Sequence, residues 1–261
     1  HKTAMFLSLS ARLGLATMFT LPFFANLATA SPRPGFPGQL AATPGPASPV
    51  IADIDGDGKM DIIIAAGNTL NVFGGNGRPL PGFPIEVLGE KVKLKGITVS
   101  PVVVDLDGDG TREIIVATAD EHLLVIGRGG KPVAGSPIKI GVGNLAFLSA
   151  EDIDGDRLPE IVGLTATGKL YVWSRTGERR SGFPVQVGEG PPSGMAIGDV
   201  DHDGKPDIVA TSRDGSVYAW STDGRPLAIP AMKTGFQISI PPVIADVNDD
   251  GLLDIVVGSH D

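Results

Sequence analysis

The chain of 261 residues contains no cysteine, so no disulfide bond can hold it together. It also lacks a surplus of positive charge, because 21 lysines and arginines face 30 aspartates and glutamates, for a net charge of −9. This excludes a nucleic-acid backbone as the expected partner. What the chain has in quantity is 36 glycines and 22 prolines, which favours many tight turns over long helices.

Residues suited to catalysis are scarce as well. No nucleophile motif or phosphate-binding loop occurs, and the glycines have the spacing of turn glycines. The histidines fall in the first thirty residues, at a strand edge or turn, in an acidic loop and at the end of the chain: His1, His122, His202 and His260. Tyr171 and Tyr218 share one repeat position, which favours packing. We therefore predict a protein that is not an enzyme and has no catalytic residue.

The first thirty residues differ from the rest. Two basic residues lead the apolar stretch LGLATMFTLPFFANLATA, which ends in small residues. This pattern predicts a signal peptide over residues 1–30 with cleavage after Ala30. The alternative is an uncleaved membrane anchor, but Pro22 and Asn26 interrupt a run that is already short for a span. We expect the remaining chain to be secreted, periplasmic or at the cell surface, with no stable membrane span after the signal is removed.

An acidic motif of nine residues occurs five times. Its first copy is DIDGDGKMD, and the copies begin at Asp53, Asp105, Asp152, Asp199 and Asp246. The steps between them are 52, 47, 47 and 47 residues. The longer first step reflects an insertion around LGEKVKLKG (88–96). Self-similarity at a fixed period predicts a repeat architecture.

Each complete repeat contains four short apolar runs. One enters the acidic loop (SPVIADI), one leaves it (DIIIAA), a third ends at a glycine turn (LNVF), and a fourth completes the unit (GFPIEV). Four short strands in every 47 residues are typical of a propeller blade. We predict an all-β chain that forms a β-propeller of four-stranded antiparallel blades.

Large side chains recur at one position of the third run: Phe73, Ile126, Trp173 and Trp220. We interpret this position as core packing between neighbouring blades. A stacking platform for sugars is the alternative.

The spacing of the acidic motif suits a hard cation. Carboxylates at positions one, three and five, a main-chain carbonyl at seven and an acid at nine can surround one calcium ion with oxygen ligands at about 2.3–2.6 Å. Glycine at position six supplies the sharp turn. We predict about five calcium sites, and magnesium is less apt because it prefers to keep several waters. The predicted ligands, with the carbonyl donor fourth in each set, are Asp53, Asp55, Asp57, Lys59 and Asp61; Asp105, Asp107, Asp109, Thr111 and Glu113; Asp152, Asp154, Asp156, Leu158 and Glu160; Asp199, Asp201, Asp203, Lys205 and Asp207; and Asp246, Asn248, Asp250, Leu252 and Asp254.

Two copies depart from this pattern. Asn248 in the fifth copy removes a charge but keeps an oxygen ligand. Arg157 replaces the turn glycine of the third copy. A non-glycine residue in the left-handed conformation costs on the order of 1 kcal/mol, and the guanidinium adds positive charge beside the ion. We predict that the third site is the weakest.

The motif D-x-D-x-D-G-x-x-[DE], followed by an apolar strand and repeated once per blade, resembles the FG-GAP or VCBS-type repeats of integrin α-subunit propellers and their bacterial relatives. The resemblance covers residues 48–261. It implies a calcium-stabilised β-propeller, typically of seven blades, on secreted or cell-surface proteins that bind other macromolecules. It also implies that the calcium loops lie on the lower face and that the ligand-binding loops, with the 88–96 insertion among them, lie on the upper face.

The insertion holds the only basic cluster of note, which consists of Lys91, Lys93 and Lys95. One interpretation is an elongated surface hairpin. The other is a docking loop for an acidic partner or a polysaccharide.

The predicted propeller, residues 48–261, amounts to four full blades and half of a fifth. PRPGFPGQL (32–40) is similar to the fourth run of a repeat, so residues 31–47 are predicted to be a linker and a closing strand. We interpret the chain as an N-terminal fragment of a longer protein. A closed five-bladed ring with one incomplete blade is the alternative.

We expect an extracytoplasmic calcium-binding module that acts in binding or adhesion, with an extracellular protein or polysaccharide as its partner. One alternative is the propeller part of a secreted polysaccharide-active enzyme such as a lyase, because fold alone does not fix function. The other alternative is a purely structural surface scaffold. The sequence does not separate these three.

Overall fold

The computed structural model describes residues 47–89, 92–93, 96–228 and 232–260. The predicted signal peptide (1–30) and nearly all of the predicted linker and closing strand (31–47) lie outside these residues. In the part of the chain that is described, helix is limited to one 3-10 turn, Arg128–Gly130. No helix there is long and apolar enough to cross a membrane.

Five antiparallel sheets follow one another along the chain, one for each repeat. The first sheet contains β1 (Val50–Ala52), β2 (Asp61–Ala66), β3 (Thr69–Phe73) and β4 (Ile85–Glu86). The insertion contributes a separate two-stranded pair, β5 (Leu88–Gly89) and β6 (Val92–Lys93). The second sheet contains β7 (Val102–Val104), β8 (Glu113–Ala117), β9 (His122–Gly127), β10 (Lys131–Pro132) and β11 (Ile138–Lys139). The third contains β12 (Leu145–Glu151), β13 (Glu160–Thr165), β14 (Lys169–Trp173) and β15 (Val185–Gln186).

The last two repeats form smaller sheets. The fourth sheet contains β16 (Pro192–Gly198), β17 (Asp207–Ser212) and β18 (Val217–Trp220), and the fifth contains β19 (Val243–Ala245) and β20 (Asp254–Val256). In the first and third sheets, neighbouring strands in the chain are neighbours in the sheet, as in β1-β2-β3-β4. The prediction of an all-β chain with four-stranded antiparallel units is confirmed.

The fourth repeat departs from the predicted full blade. Among the described residues it has three strands, and an isolated bridge between Ser216 and Lys233 stands where the fourth strand was expected. The sequence offers a reason: each of the first three repeats begins its fourth strand after a Gly-Phe-Pro or Gly-Ser-Pro turn, and the fourth repeat has no such turn. Where the turn contains phenylalanine, as at Phe83 and Phe183, that side chain is buried and anchors the strand.

Apolar side chains fill the space between successive sheets. One cluster joins Ile63 and Val72 of the first sheet to Ile114 and Ile126 of the second. Similar clusters lie between the second and third, the third and fourth, and the fourth and fifth sheets. Every residue of β8, β13 and β17 is therefore buried, because each of these strands has a neighbouring sheet on both faces.

The recurring large residues lie in this core, as predicted. Phe73, Ile126, Trp173 and Trp220 are buried, with 1–6% of their surface exposed. Full burial of one large apolar side chain contributes roughly 1.5–3 kcal/mol to folding. Tyr171, predicted to be packed, is buried as well, and its ring is stacked on Trp173 with the two ring centres 5.4 Å apart.

Two pairs of neighbouring sheets meet through glycines. A Cβ atom on Gly130 would lie 2.5 Å from the carbonyl oxygen of Gly82, and one on Gly224 would lie 2.5 Å from that of Gly182. A Cβ atom on Gly82 or Gly182 would in turn overlap a backbone carbonyl of the next repeat. Close approach of two backbones requires residues without side chains.

The insertion forms a hairpin at the level of the backbone. Leu88 pairs with Lys93, and Gly89 pairs with Val92, in antiparallel register. Positions 90, 91, 94 and 95 lie outside the described residues, so the predicted docking role of the lysine cluster stays a prediction.

Candidate metal centres

The five acidic motifs occupy one equivalent place in the fold. In every repeat the first aspartate directly follows strand one, and the acid at position nine is the first residue of strand two. The residues that flank the loop pair with each other across the sheet, as Ala52 does with Asp61 and Gly198 with Asp207. Each motif is therefore the turn of a hairpin whose two ends are fixed by strand pairing.

The backbone of each loop is left-handed at two positions. Position six has φ between 73° and 86°, which confirms the predicted turn: Gly58, Gly110, Arg157, Gly204 and Gly251. Position four is also left-handed, which was not predicted from the sequence: Gly56, Gly108, Gly155, His202 and Asp249. Asp and His tolerate this conformation better than most residues, so three kinds of residue serve at position four.

The carboxylate at position one organises the loop. In the first copy, Asp53 Oδ1 accepts a hydrogen bond from the Gly56 amide at 2.8 Å, and Asp53 Oδ2 accepts one from the Gly58 amide at 3.0 Å. The bond from the position-six amide recurs in the other loops, at 2.8–3.0 Å. These bonds hold the chain curled around the first carboxylate.

The carboxylate at position nine closes the loop from the other side. One of its oxygens accepts a hydrogen bond from the amide at position two in all five copies, as from Ile54 to Asp61 at 2.9 Å and from Leu106 to Glu113 at 2.9 Å. The same bond measures 3.2, 3.0 and 3.1 Å in the remaining copies. A single oxygen is used in this bond, so the second oxygen can serve a ligand.

Four loops bring three carboxylates together, with one oxygen from each within 4.8 Å of the others. The groups are Asp53, Asp55 and Asp57; Asp105, Asp107 and Glu113; Asp152, Asp154 and Glu160; and Asp199, Asp201 and Asp203. The remaining predicted carboxylate of these loops lies outside each group: Asp61, Asp109, Asp156 and Asp207. In the fifth loop Asn248 replaces a carboxylate, and no such group forms there among the described residues. The carbonyl ligands at position seven stay predictions.

Burial of the carboxyl group at position nine disfavours its charged form when no cation is bound nearby. It raises the pKa of the carboxyl at position nine in the first four copies: Asp61, Glu113, Glu160 and Asp207. The cause is loss of hydration, and neighbouring carboxylates of the same loop add to it. A divalent cation would reverse both effects, because it offsets the repulsion and replaces the lost water.

The third loop has an arginine among its carboxylates. Arg180 Nη1 lies 2.6 Å from Asp154 Oδ2 and 3.4 Å from Glu160 Oε1. The hydrogen bond from Arg180 holds the pKa of Asp154 below its usual range. From the sequence, Arg157 was the predicted source of positive charge in this loop, and Arg180 was not predicted. Alignment of the repeats contains the signal, since Leu80, Val133 and Leu227 stand at the same place in the other complete repeats.

The donor set is consistent with calcium and differs from that of a usual zinc site. It consists of carboxylate oxygens on a short, curled loop, with neither histidine nor cysteine in any of the four groups. Hard oxygen donors in flexible number are the ligands that calcium takes, whereas zinc is usually held by nitrogen and sulfur.

Taken together, the sheets and the repeated acidic hairpins define a β-propeller whose blades each carry a candidate cation loop. A family model for the FG-GAP-like repeat matches residues 53–116, 152–210 and 199–257, which is more than half of the chain. The chain therefore belongs to the FG-GAP-like repeat family, as the sequence resemblance predicted. No curated protein matches the chain significantly.

Three solved structures illustrate the fold that this chain shares with other proteins. BBS1N, crystallised in complex with ARL6DN, has a TM-score of 0.57 at 17% identity, with 84% of this chain and 77% of that chain covered. The V. cholerae biofilm matrix protein Bap1 has a TM-score of 0.56 at 21% identity, with 81% and 34% covered. The computationally designed Ika8 protein has a TM-score of 0.50 at 14% identity, with 80% and 57% covered. These structural similarities support the β-propeller fold of this chain.

Proposed function

We propose that this chain is a calcium-stabilised β-propeller that binds another macromolecule outside the cytoplasm, without catalysis of its own. One observation carries the proposal: carboxylate groups form at the equivalent hairpin of four successive repeats, all within the residues that the FG-GAP-like family model matches. Isolated acidic turns are common, but recurrence in phase with the blades points to a shared ligand.

Calcium would be held by the side chains at positions one, three, five and nine, together with the carbonyl at position seven. When bound, it supplies positive charge that offsets the crowded carboxylates and links the ends of strands one and two. The chain's own residues then keep the loop in shape: the position-one carboxylate gathers the amides of positions four and six, and the position-nine carboxylate holds the amide of position two. The role of the metal in this proposal is structural.

The proposed partner is an extracellular protein or a polysaccharide. Propeller structures of similar fold support a binding role, since BBS1N was crystallised with ARL6DN, and Bap1 is described as a biofilm matrix protein. A second observation, made on this chain, supports the proposed absence of catalysis. Tyr171, which could act in acid–base catalysis by residue type, is buried and stacked on Trp173, so it belongs to the core.

An assay of binding and catalysis on the same materials tests this function. The purified chain is passed over immobilised neutral, acidic and basic polysaccharides, and over extracellular matrix proteins, in calcium and then in chelator. The same polysaccharides are incubated with the chain in solution, and their chain length is followed. We expect retention on at least one material and no shortening of any polysaccharide. Shortening that depends on the chain would favour the lyase-type alternative, and absence of retention on every material would favour the scaffold.

The proposed location follows from the signal-like sequence at residues 1–30. The test is expression of the full chain in a bacterial host, followed by fractionation and sequencing of the mature N-terminus. We expect an extracytoplasmic product that begins at Ser31. A cytoplasmic product that keeps its first thirty residues would contradict it.

A further inference from the structure

Arg180 stands at a position that is aliphatic in the other repeats. Its amide donates a hydrogen bond to the carbonyl of Val172 at 2.9 Å. The equivalent amides donate the same bond to strand three of their own sheets, at 2.9 to 3.0 Å: Leu80 to Val72, Val133 to Val125 and Leu227 to Ala219. The backbone is thus the same in all four repeats, and only the side chain of the third repeat is charged.

This position borders the acidic loop of its own blade. In the first repeat, a Cβ atom on Gly74 would lie 3.4 Å from Leu80 Cδ2 and 3.8 Å from Asp61 Oδ1, so the leucine methyl and the position-nine carboxylate lie beside the same glycine. An arginine at this place reaches the loop itself. In the third repeat its Nη1 atom pairs with the carboxylates at positions three and nine, Asp154 and Glu160.

The ion pairs of Arg180 with Asp154 and Glu160 offset negative charge in the third loop with a side chain of the protein itself. The side chain of Glu160 is only 7% exposed, and a buried carboxylate is costly unless a positive charge compensates it. In the first, second and fourth loops no lysine or arginine is paired with the buried acid at position nine among the described residues, since Lys59 of the first loop pairs with the exposed Asp57 instead. The charge of the buried acid is therefore left for a metal ion to compensate. In the third loop the guanidinium already compensates it.

The same loop carries a second cationic replacement. Arg157 occupies position six with φ 73°, where the other loops have glycine. Two departures of this repeat from its neighbours therefore add positive charge to one loop. A divalent ion held beside a guanidinium would be repelled by it, and the repulsion is strong where water is partly excluded.

We propose that Arg180 takes the place of the calcium ion in the third loop, which therefore stays free of metal at calcium concentrations that fill the other loops. This inference rests on the proposed function, because it assumes that the other loops bind calcium. Its consequence is a blade in the middle of the array that keeps its hairpin closed when calcium is withdrawn.

Counting bound ions tests the inference. Equilibrium dialysis with radioactive calcium is run on the full chain, on Arg180→Leu and on Arg179→Leu. Leucine is the residue at the equivalent place in the first and fourth repeats. Arg179 is the matched control, because it is exposed and its guanidinium lies over the ring of Tyr171 at 5.9 Å instead of in the loop. We expect Arg180→Leu to bind one more ion per chain than the wild type, and Arg179→Leu to bind the wild-type number.

A second pair of variants keeps Arg180 and so avoids any folding defect of Arg180→Leu. Asp107→Asn changes position three of the second loop, and Asp154→Asn changes position three of the third. We expect Asp107→Asn to lose one ion, or to bind it at least tenfold more weakly, and Asp154→Asn to keep the wild-type number and affinities. Loss of an ion in Asp154→Asn would overturn the inference while leaving the proposed function intact. A wild-type chain that binds no calcium would instead overturn the proposed function itself.

Discussion

The carboxylate of Asp61 accepts a hydrogen bond from the amide of Ile54 at 2.9 Å, across seven residues of the acidic loop. Asp61 is buried, and it is also the first residue of β2, so this bond ties the start of the loop to the sheet. The same bond recurs in the other four repeats, so the position-nine oxygen orders the backbone of each loop. Position nine thus has two separable properties: its oxygen orders the backbone, and its buried charge is unfavourable unless a positive charge compensates it.

Asp61→Asn separates these roles. The amide side chain keeps an oxygen for the Ile54 bond but removes the buried charge. We expect the variant to be as stable as the wild type, or more stable, in chelator, and to lose most of the stabilisation that the first site gives in calcium. Urea unfolding in both conditions measures the difference.

Asp61→Ala is the matched comparison, because it removes the acceptor as well. Leaving the buried Ile54 amide without a partner costs about 1–3 kcal/mol, so this variant should be less stable than Asp61→Asn in chelator. Equal stability of the two variants would contradict an ordering role for the Asp61–Ile54 bond.

The contact between neighbouring sheets at Gly182 gives a second prediction. A Cβ atom there would overlap the carbonyl oxygen of Asp223, whereas at Gly135, the equivalent residue of the second repeat, it would meet nothing within 4 Å. Both glycines have nearly the same φ, 88° and 86°. We expect Gly182→Ala to be less stable than Gly135→Ala by about 1–3 kcal/mol, the usual cost of overpacking. Urea unfolding checks this, and equal costs would show that the backbone angle alone matters.

Arg157→Gly should stabilise the chain. Removing a side chain from a left-handed residue recovers about 1 kcal/mol, and a Cβ-free residue is what the other loops have at this place. Arg157→Lys is the control, since it keeps both the charge and the strained backbone. Denaturant unfolding in chelator should show a gain for glycine and almost none for lysine. A gain of the same size in both variants would refute the backbone explanation.

Trp173 tests the packing between the second and third sheets. It is 2% exposed and belongs to the cluster that joins these sheets. We expect Trp173→Ala to cost about 3–5 kcal/mol. Phe236, which is 56% exposed, is the control, and its replacement by alanine should change the unfolding free energy by less than about 0.5 kcal/mol. A small effect at Trp173 would argue for a surface role of this position instead.

Much of this architecture could be predicted from the sequence, because the acidic motif keeps the same internal spacing in every repeat. The spacing from Asp53 to Asp61 fixed the hairpin, and the recurrence of Phe73, Ile126 and Trp173 located the core. The left-handed position four was missed, since His202 and Asp249 do not look like turn glycines. A backbone angle is shared by the repeats even where the residue type is not.

Arg180 was missed for a different reason. Its partners Asp154 and Glu160 lie 26 and 20 residues earlier in the chain, and only the folding of strand three against strand two brings them together. The fourth sheet was likewise predicted with four strands, although its sequence lacks the turn that begins strand four elsewhere. Contacts across strands depend on side-chain reach, which a one-dimensional pattern does not contain.

A thermal melt of the purified chain measures whether calcium holds these hairpins together. The melt is run in chelator and then across a calcium titration, with magnesium as the control. We expect the midpoint to rise by many degrees as calcium passes through ~0.1 to 1 mM, the range of extracellular modules, and magnesium to have a much smaller effect. A midpoint that does not change with calcium concentration would contradict a structural role of calcium in these loops.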